Sequence, residues 1–162
     1  MGVSTEEHFH SNPKTGSDHR GTPRDFIEKL ERLLGLRFDS YDPCSLNPEG
    51  LRQQDGLGPA PAWVRCYFLN PPYSRKTTTN PGVEGWLTKV RDDQLNGVTV
   101  AVLLKLDWTT KWYKQLVLPY AQTIPVLGRI AFEGFDGGAS FINFVAVYRP
   151  GIVPVLPVVI YP

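Results

Sequence analysis

The sequence has almost no excess of either charge. Seventeen lysines and arginines stand against 16 aspartates and glutamates, for a formal net charge of +1. A chain that coats nucleic acid without reading it is normally far more basic, because counterion release drives that binding. Near-neutrality argues against that class and leaves room for an enzyme with a local basic patch. Cysteine is also scarce. Cys44 and Cys66 are the only two, and neither has a His or Cys neighbour at metal-ligand spacing. They read as buried thiols in a reducing compartment, with no metal site. Long apolar runs are missing as well: none reaches the ~20 residues that a membrane span needs, and no signal peptide is visible. The expectation is a soluble cytoplasmic protein with no membrane partner.

Proline and glycine are plentiful, 15 of each, which predicts long loops. Hydrophobic residues make up 41% of the 162 positions, enough for a core and suited to one domain. Residues 1–21 are polar and carry His8, His10 and His19 without periodicity. They read as a flexible tail, with 22–162 as the folded domain. The first strong element is a helix from Pro23 to about Leu34. Thr22 suits its N-cap, with Asp25 three residues on and Pro23 at the first helical position. Phe26, Ile27, Leu30, Leu33 and Leu34 form one apolar stripe, Glu28 and Arg32 pair outside it, and Gly35 ends it.

Further along, strands are predicted at Arg37–Tyr41, Val64–Leu69, Val98–Leu104, Ile124–Leu127 and Ser140–Tyr148. Val98–Leu104 is nearly continuous apolar sequence of the parallel-sheet kind. Helices are predicted at Val83–Leu95, burying Val83, Trp86, Leu87 and Val90, and at Thr109–Val117, burying Trp112 and Leu116. Ile152–Pro162 is apolar but broken by prolines, an edge segment. Alternating strands and helices argue for an α/β sheet with helices on both faces. Ligands bind such sheets beyond the carboxyl ends of the strands. The two most polar insertions, Asp42–Gly58 and Asn70–Gly82, both follow predicted strands and should share that edge.

Asn70-Pro71-Pro72-Tyr73, at the end of a hydrophobic strand, carries the most chemistry. Asn-Pro and Pro-Pro are also ordinary loop dipeptides, but that reading leaves the rigid pairing of an amide with an aromatic ring unexplained. An exocyclic amine offers two N–H donors. The Asn70 side-chain oxygen and a fixed backbone carbonyl such as that of Pro71 can accept both, turning the nitrogen lone pair toward an electrophile, while Tyr73 stacks on the ring.

This tetrapeptide resembles the catalytic signature of amino-methyltransferases. The pieces around it narrow the likeness: Thr22-Pro23 before a helix, Phe38-Asp39-x-x-Asp42-Pro43-Cys44, Asp55-Gly56-Leu57, Trp63 ahead of Asn70, and Gly128-Arg129-x-x-Phe132. In this order, from about Thr22 to Pro150, they resemble the phage-type Dam family of DNA N6-adenine methyltransferases. The resemblance implies a Rossmann-like methyltransferase sheet, S-adenosylmethionine as cofactor, and a site-specific transfer to adenine N6 in DNA. It implies that Thr22 and Pro23 touch the methionine end of the cofactor. Asp42, Pro43 and Cys44 would lie near its amino group or ribose, and Asp55 would bind its adenine amine. Turn chemistry competes for both aspartates, since Asp-Pro and Asp-Gly are common turn dipeptides.

One departure stands out. No Gly-x-Gly loop follows the first predicted strand, and the stretch from Asp42 to Asp55 is too short for a helix, a second strand and a ribose-binding acid. Either the cofactor half is trimmed, or another residue contacts the ribose, with Asp39 and Glu49 as weak candidates. The expected step is in-line displacement at the sulfonium methyl, for which the protein mainly supplies alignment. No covalent nucleophile is needed, and Cys66 is not one. The target adenine must be flipped out or met single-stranded. Arg75 and Lys76 are the candidate DNA contacts, with Lys105, Lys111 and Lys114 behind them; Trp108 is a candidate stacking residue, and Trp112 reads as core. A chain this short has little space for a separate recognition domain, so recognition should be brief or loose; the oligomeric state is open with a monomer favoured, in a host cytoplasm if phage- or virus-encoded. Transfer to cytosine N4, RNA or protein glutamine, or a non-catalytic DNA-binding relative with the same fold, stay open as alternatives.

Overall fold

The computed structural model describes residues 21–44, 56–78, 81–132, 140–152 and 154. The polar tail before Gly21, Glu49, Asp55 and most of the C-terminal apolar segment lie outside the described residues. The elements in chain order are α1 (Arg24–Leu34), β1 (Cys66–Leu69), α2 (Gly82–Leu95), β2 (Thr99–Lys105), a π-helix (Tyr113–Val117), β3 (Gln122–Pro125) and β4 (Asn143–Tyr148). The strands form one sheet in the order β1-β2-β4-β3.

The sheet is mixed. β1 runs parallel to β2, with Cys66 opposite Thr99 and Leu69 opposite Val102. β4 runs antiparallel to β2, with Lys105 opposite Asn143 and Val100 opposite Tyr148, and β3 is antiparallel to β4. The apolar run at Val98–Leu104 thus indicates burial on two faces rather than strand direction. β4, whose six residues are all buried, reads much the same although both of its neighbours are antiparallel.

Side-chain alternation divides two apolar layers. Val100, Val102, Leu104, Phe144, Ala146 and Tyr148 meet Trp86, Leu87 and Val90 of α2 and Tyr113 and Val117 of the π-helix. Ala101, Leu103, Val145 and Val147 meet Leu30, with Phe26 and Leu34 packed beside it. The mixed α/β layout therefore has helices on both faces. Leu33, expected in the stripe of α1, is 66% exposed, because α1 rests on the sheet through Phe26, Leu30 and Leu34 alone. Trp112 and Leu116 are partly buried against the first layer.

Several local expectations are corrected. Pro23, not Thr22, is the N-cap of α1, and no side chain caps it; the Thr22 hydroxyl is used elsewhere. Along α1 the ion pairs are Arg24–Glu28 and Lys29–Asp25 in place of Glu28–Arg32. Arg37–Tyr41 forms no strand. The Asp39 backbone N–H donates to Cys66 O at 2.9 Å, but its carboxylate accepts the Arg65 and Cys66 N–H groups at 2.7 and 3.0 Å. A side chain thus occupies donors that a strand would have used. The helix predicted from Thr109 is a π-helix from Tyr113, closed by Leu118 N–H on Tyr113 O at 2.9 Å. β3 ends at Pro125, and Leu127 is 95% exposed. β4 starts at Asn143 rather than Ser140.

Among the described residues, one charged pair is buried. Lys89 Nζ lies 2.8 Å from Asp93 Oδ2 and also donates to Gly58 O at 2.7 Å. Asp93 accepts the Tyr67 hydroxyl at 2.7 Å and the Ala60 N–H at 2.9 Å. Burial, and then the Asp93 charge, push the Tyr67 phenol pKa well up, so it stays a donor. The cluster ties loop 58–60 to α2. No described helix is long and apolar enough to cross a membrane.

Candidate active site

Because β1 and β2 are parallel, their carboxyl ends open on the same edge. Asn70 leaves β1 there, level with Leu103 of β2. Pro71 and Pro72 are buried, so the fixed φ of each proline is reinforced by packing. Asn70 is 8% exposed. Its Nδ2 donates to Thr22 Oγ1 at 3.1 Å, and its Oδ1 accepts the Tyr73 hydroxyl at 3.2 Å. That same hydroxyl lies 3.0 Å from Leu103 O, a second acceptor for its proton. The Tyr73 ring meets Phe141 edge-on at 5.6 Å.

Asp42-Pro43-Cys44 reaches the same corner. Segment 37–44 runs alongside β1 in the same direction: Asp39 meets Cys66 near one end, and the Cys44 thiol donates to Asn70 O at 3.4 Å near the other. Asp42 is exposed, and its Oδ1 accepts the Cys44 N–H at 3.1 Å, turning the chain. Pro43 and Cys44 are buried. Gly56 sits against Pro43 so closely that a Cβ would overlap the Pro43 carbonyl, which is a reason for glycine there. The chain after Asp55 is thereby brought back to Asp42-Pro43-Cys44, although Asp55 itself lies outside the described residues.

Thr22 and Cys44 thus touch Asn70 directly, with Pro23, Asp42 and Pro43 as their chain neighbours. Asp39 accepts two backbone amides on Oδ2. Those bonds, the one to Cys66 first, hold its pKa below the ordinary carboxylate value. Cys66 is not fully buried as expected; its thiol donates to Arg37 O, and desolvation raises its pKa, the opposite of what a nucleophile needs.

Arg75 and Lys76 are exposed just past the corner. Gly82, at φ 62°, packs against the Lys76 backbone and fixes where that loop returns to α2. Trp108 is 64% exposed beyond the carboxyl end of β2, its ring stacked 6.4 Å from Tyr113. Lys105, Lys111 and Lys114 are exposed. Among the described residues, a cavity of about 730 Å³ runs beside Glu28, Glu31 and Arg37. Another of about 460 Å³ lies between Gln94, Tyr120 and Ile152. Neither is lined by the corner. No three described His, Cys, Asp or Glu residues are grouped to hold a metal.

The chain matches no protein-family model, no curated protein and no solved structure.

Sequence reasoning missed Asn143. Antiparallel β4 begins at the edge where β2 ends, so its first residue lands beside the corner. Asn143 is 1% exposed; its Nδ2 donates to Leu104 O at 3.2 Å and lies 3.5 Å from the Tyr73 hydroxyl. Its Oδ1 is buried with no partner among the described residues, a burden of about 1–3 kcal/mol. The available signal was a lone amide opening an otherwise apolar strand.

Proposed function

We propose that the chain is an S-adenosylmethionine-dependent methyltransferase acting on the N6 amine of a flipped-out adenine in DNA, on a trimmed Rossmann-like sheet. The observation that carries the proposal is convergence. Thr22, Asp42-Pro43-Cys44 and Asn70-Pro71-Pro72-Tyr73 are separate in sequence yet meet at the carboxyl edge of a parallel strand pair, where α/β sheets bind ligands. Segment 37–44 supports the sheet reading, lying beside β1 where a first strand would stand.

The donor set fits the cofactor at its amino-acid end: exposed Asp42 offers an anion for an ammonium group. When bound, S-adenosylmethionine supplies a methyl group on an electrophilic sulfonium. The chain's residues supply alignment. Asn70 Oδ1 and the Pro71 carbonyl accept the two N–H donors of the amine, and the Tyr73 ring stacks on the base. The Tyr73 hydroxyl must first leave Asn70 Oδ1, and Leu103 O stands ready to receive it. Arg75 and Lys76 meet phosphates, and Trp108 stacks on a neighbouring base.

A second reading, a non-catalytic DNA-binding relative, is favoured by one observation: Thr22 and Tyr73 already engage both polar atoms of the Asn70 amide. Incubation with methyl-labelled S-adenosylmethionine and unmethylated DNA, followed by nucleoside analysis, separates the two. Label in N6-methyldeoxyadenosine is expected. Label in cytosine, or only when RNA or protein is supplied, moves the target. No transfer, together with no calorimetric binding of the cofactor, establishes the non-catalytic reading.

A further inference from the structure

We propose that Asn143 is a positioning residue for the amine pocket, acting through the Tyr73 hydroxyl; this rests on the amine-transfer reading above. The phenol oxygen has one hydrogen to give and an acceptor side open to incoming donors. Asn143 Nδ2 faces that oxygen at 3.5 Å while anchored on Leu104 O at 3.2 Å. It therefore covers the acceptor side of the phenol and leaves it the role of donor. The proton goes to Asn70 Oδ1 at 3.2 Å or to Leu103 O at 3.0 Å.

Two consequences follow for an entering exocyclic amine. The amine cannot hydrogen-bond to the phenol in place of Asn70, so it is not held in a misaimed pose. The Tyr73 proton also has a place to go: it turns to Leu103 O as the amine N–H takes over Asn70 Oδ1. Until the amine arrives, the hydroxyl donates to the Asn70 oxygen at 3.2 Å. The cost shows on the other atom of the same amide, where Asn143 Oδ1 is buried with no partner among the described residues. A residue kept only for stability would not carry that defect, since an apolar side chain of similar size would remove it.

The test is a double-mutant cycle on methyl transfer to a DNA oligonucleotide, with thermal unfolding of every variant. Asn143→Leu should lower kcat by about tenfold, the effect of one misplaced neutral hydrogen bond, with KM unchanged or lower and Tm unchanged or raised. In the Tyr73→Phe background, Asn143→Leu should lower kcat no further, because the oxygen it shields is gone. Additive losses in kcat, a raised KM with kcat intact, or a Tm that falls with activity would each overturn the role of Asn143. Should Asn143→Leu fail to fold, Asn143→Ser replaces it in the same cycle under the same criteria. A parent protein that transfers no methyl group to any acceptor overturns the amine-transfer reading itself. Additivity in an active parent overturns Asn143 alone.

Discussion

Two polar clusters flank β1, one buried and one part-buried, and they are built differently. Behind the strand, Lys89, Asp93 and Tyr67 form a charged cluster completed by Gly58 O and the Ala60 N–H. Lys89 also lies 5.6 and 5.7 Å from the Tyr41 and Tyr67 ring centroids. At the strand's carboxyl end, Thr22, Asn70, Tyr73 and Asn143 join through neutral hydrogen bonds of 3.1 to 3.5 Å. That chain includes a hydroxyl with two acceptors and an amide oxygen with no donor among the described residues. Charges buried at low dielectric hold their partners tightly, since losing one leaves a bare ion. Neutral groups exchange partners at small cost. The first cluster is suited to fastening a loop, the second to yielding its bonds to a ligand.

The largest expected effect tests that division at its active side. Asn70→Ala should reduce methyl transfer by about a hundredfold to a thousandfold, the range for removing a preorganised polar group from a reacting centre, while the circular dichroism spectrum stays unchanged. Retained turnover would remove the exchangeable cluster from the chemistry.

The next effect is on stability. Lys89→Met leaves Asp93 uncompensated and should destabilise by about 3–5 kcal/mol, measured by denaturant unfolding. Adding Asp93→Leu should recover much of that loss, because no buried charge is then left. A mild single variant would show that the charged cluster is no tighter than the neutral one. For scale, exposed pairs such as Arg24–Glu28 contribute about 0.3–0.5 kcal/mol.

A smaller effect concerns the surface beside the corner. Arg75→Ala with Lys76→Ala should weaken DNA binding and reduce the slope of log affinity against log salt by about 0.9 for each phosphate no longer neutralised. An unchanged slope would send the DNA surface elsewhere.

The smallest effect is acid sensitivity at the amino end of β1. Two backbone amides hold the Asp39 pKa below its ordinary value, so its stabilisation is present above the ordinary carboxylate range and is lost as pH falls through the depressed value. Asp39→Asn should show a shallower fall of Tm with acidification across that window. A profile parallel to the parent's would show that the clamp of segment 37–44 on β1 does not depend on the carboxylate charge.

Local pattern carried α1, α2 and β2, because a helical stripe such as Phe26, Leu30 and Leu34, or a run such as Val100–Leu104, states which side is buried without reference to the rest of the chain. The Asn70-Pro71-Pro72-Tyr73 corner was legible for the same reason: prolines stiffen their own neighbourhood. Thr22 was misread as a helix cap, since a hydroxyl serves a nearby backbone N–H and a distant amide equally well and only distance decides between them. Asp39 was misread likewise, as a strand residue.

What the sequence determined by itself is therefore the set of buried faces and the one rigid corner, both consequences of nearest-neighbour chemistry. Folding in three dimensions decided the direction of β4 and the arrival of Asn143 beside Tyr73. It also decided the meeting of Thr22 with Asn70. An antiparallel neighbour brings its first residue to the edge where β2 ends, and no local preference records which edge that will be.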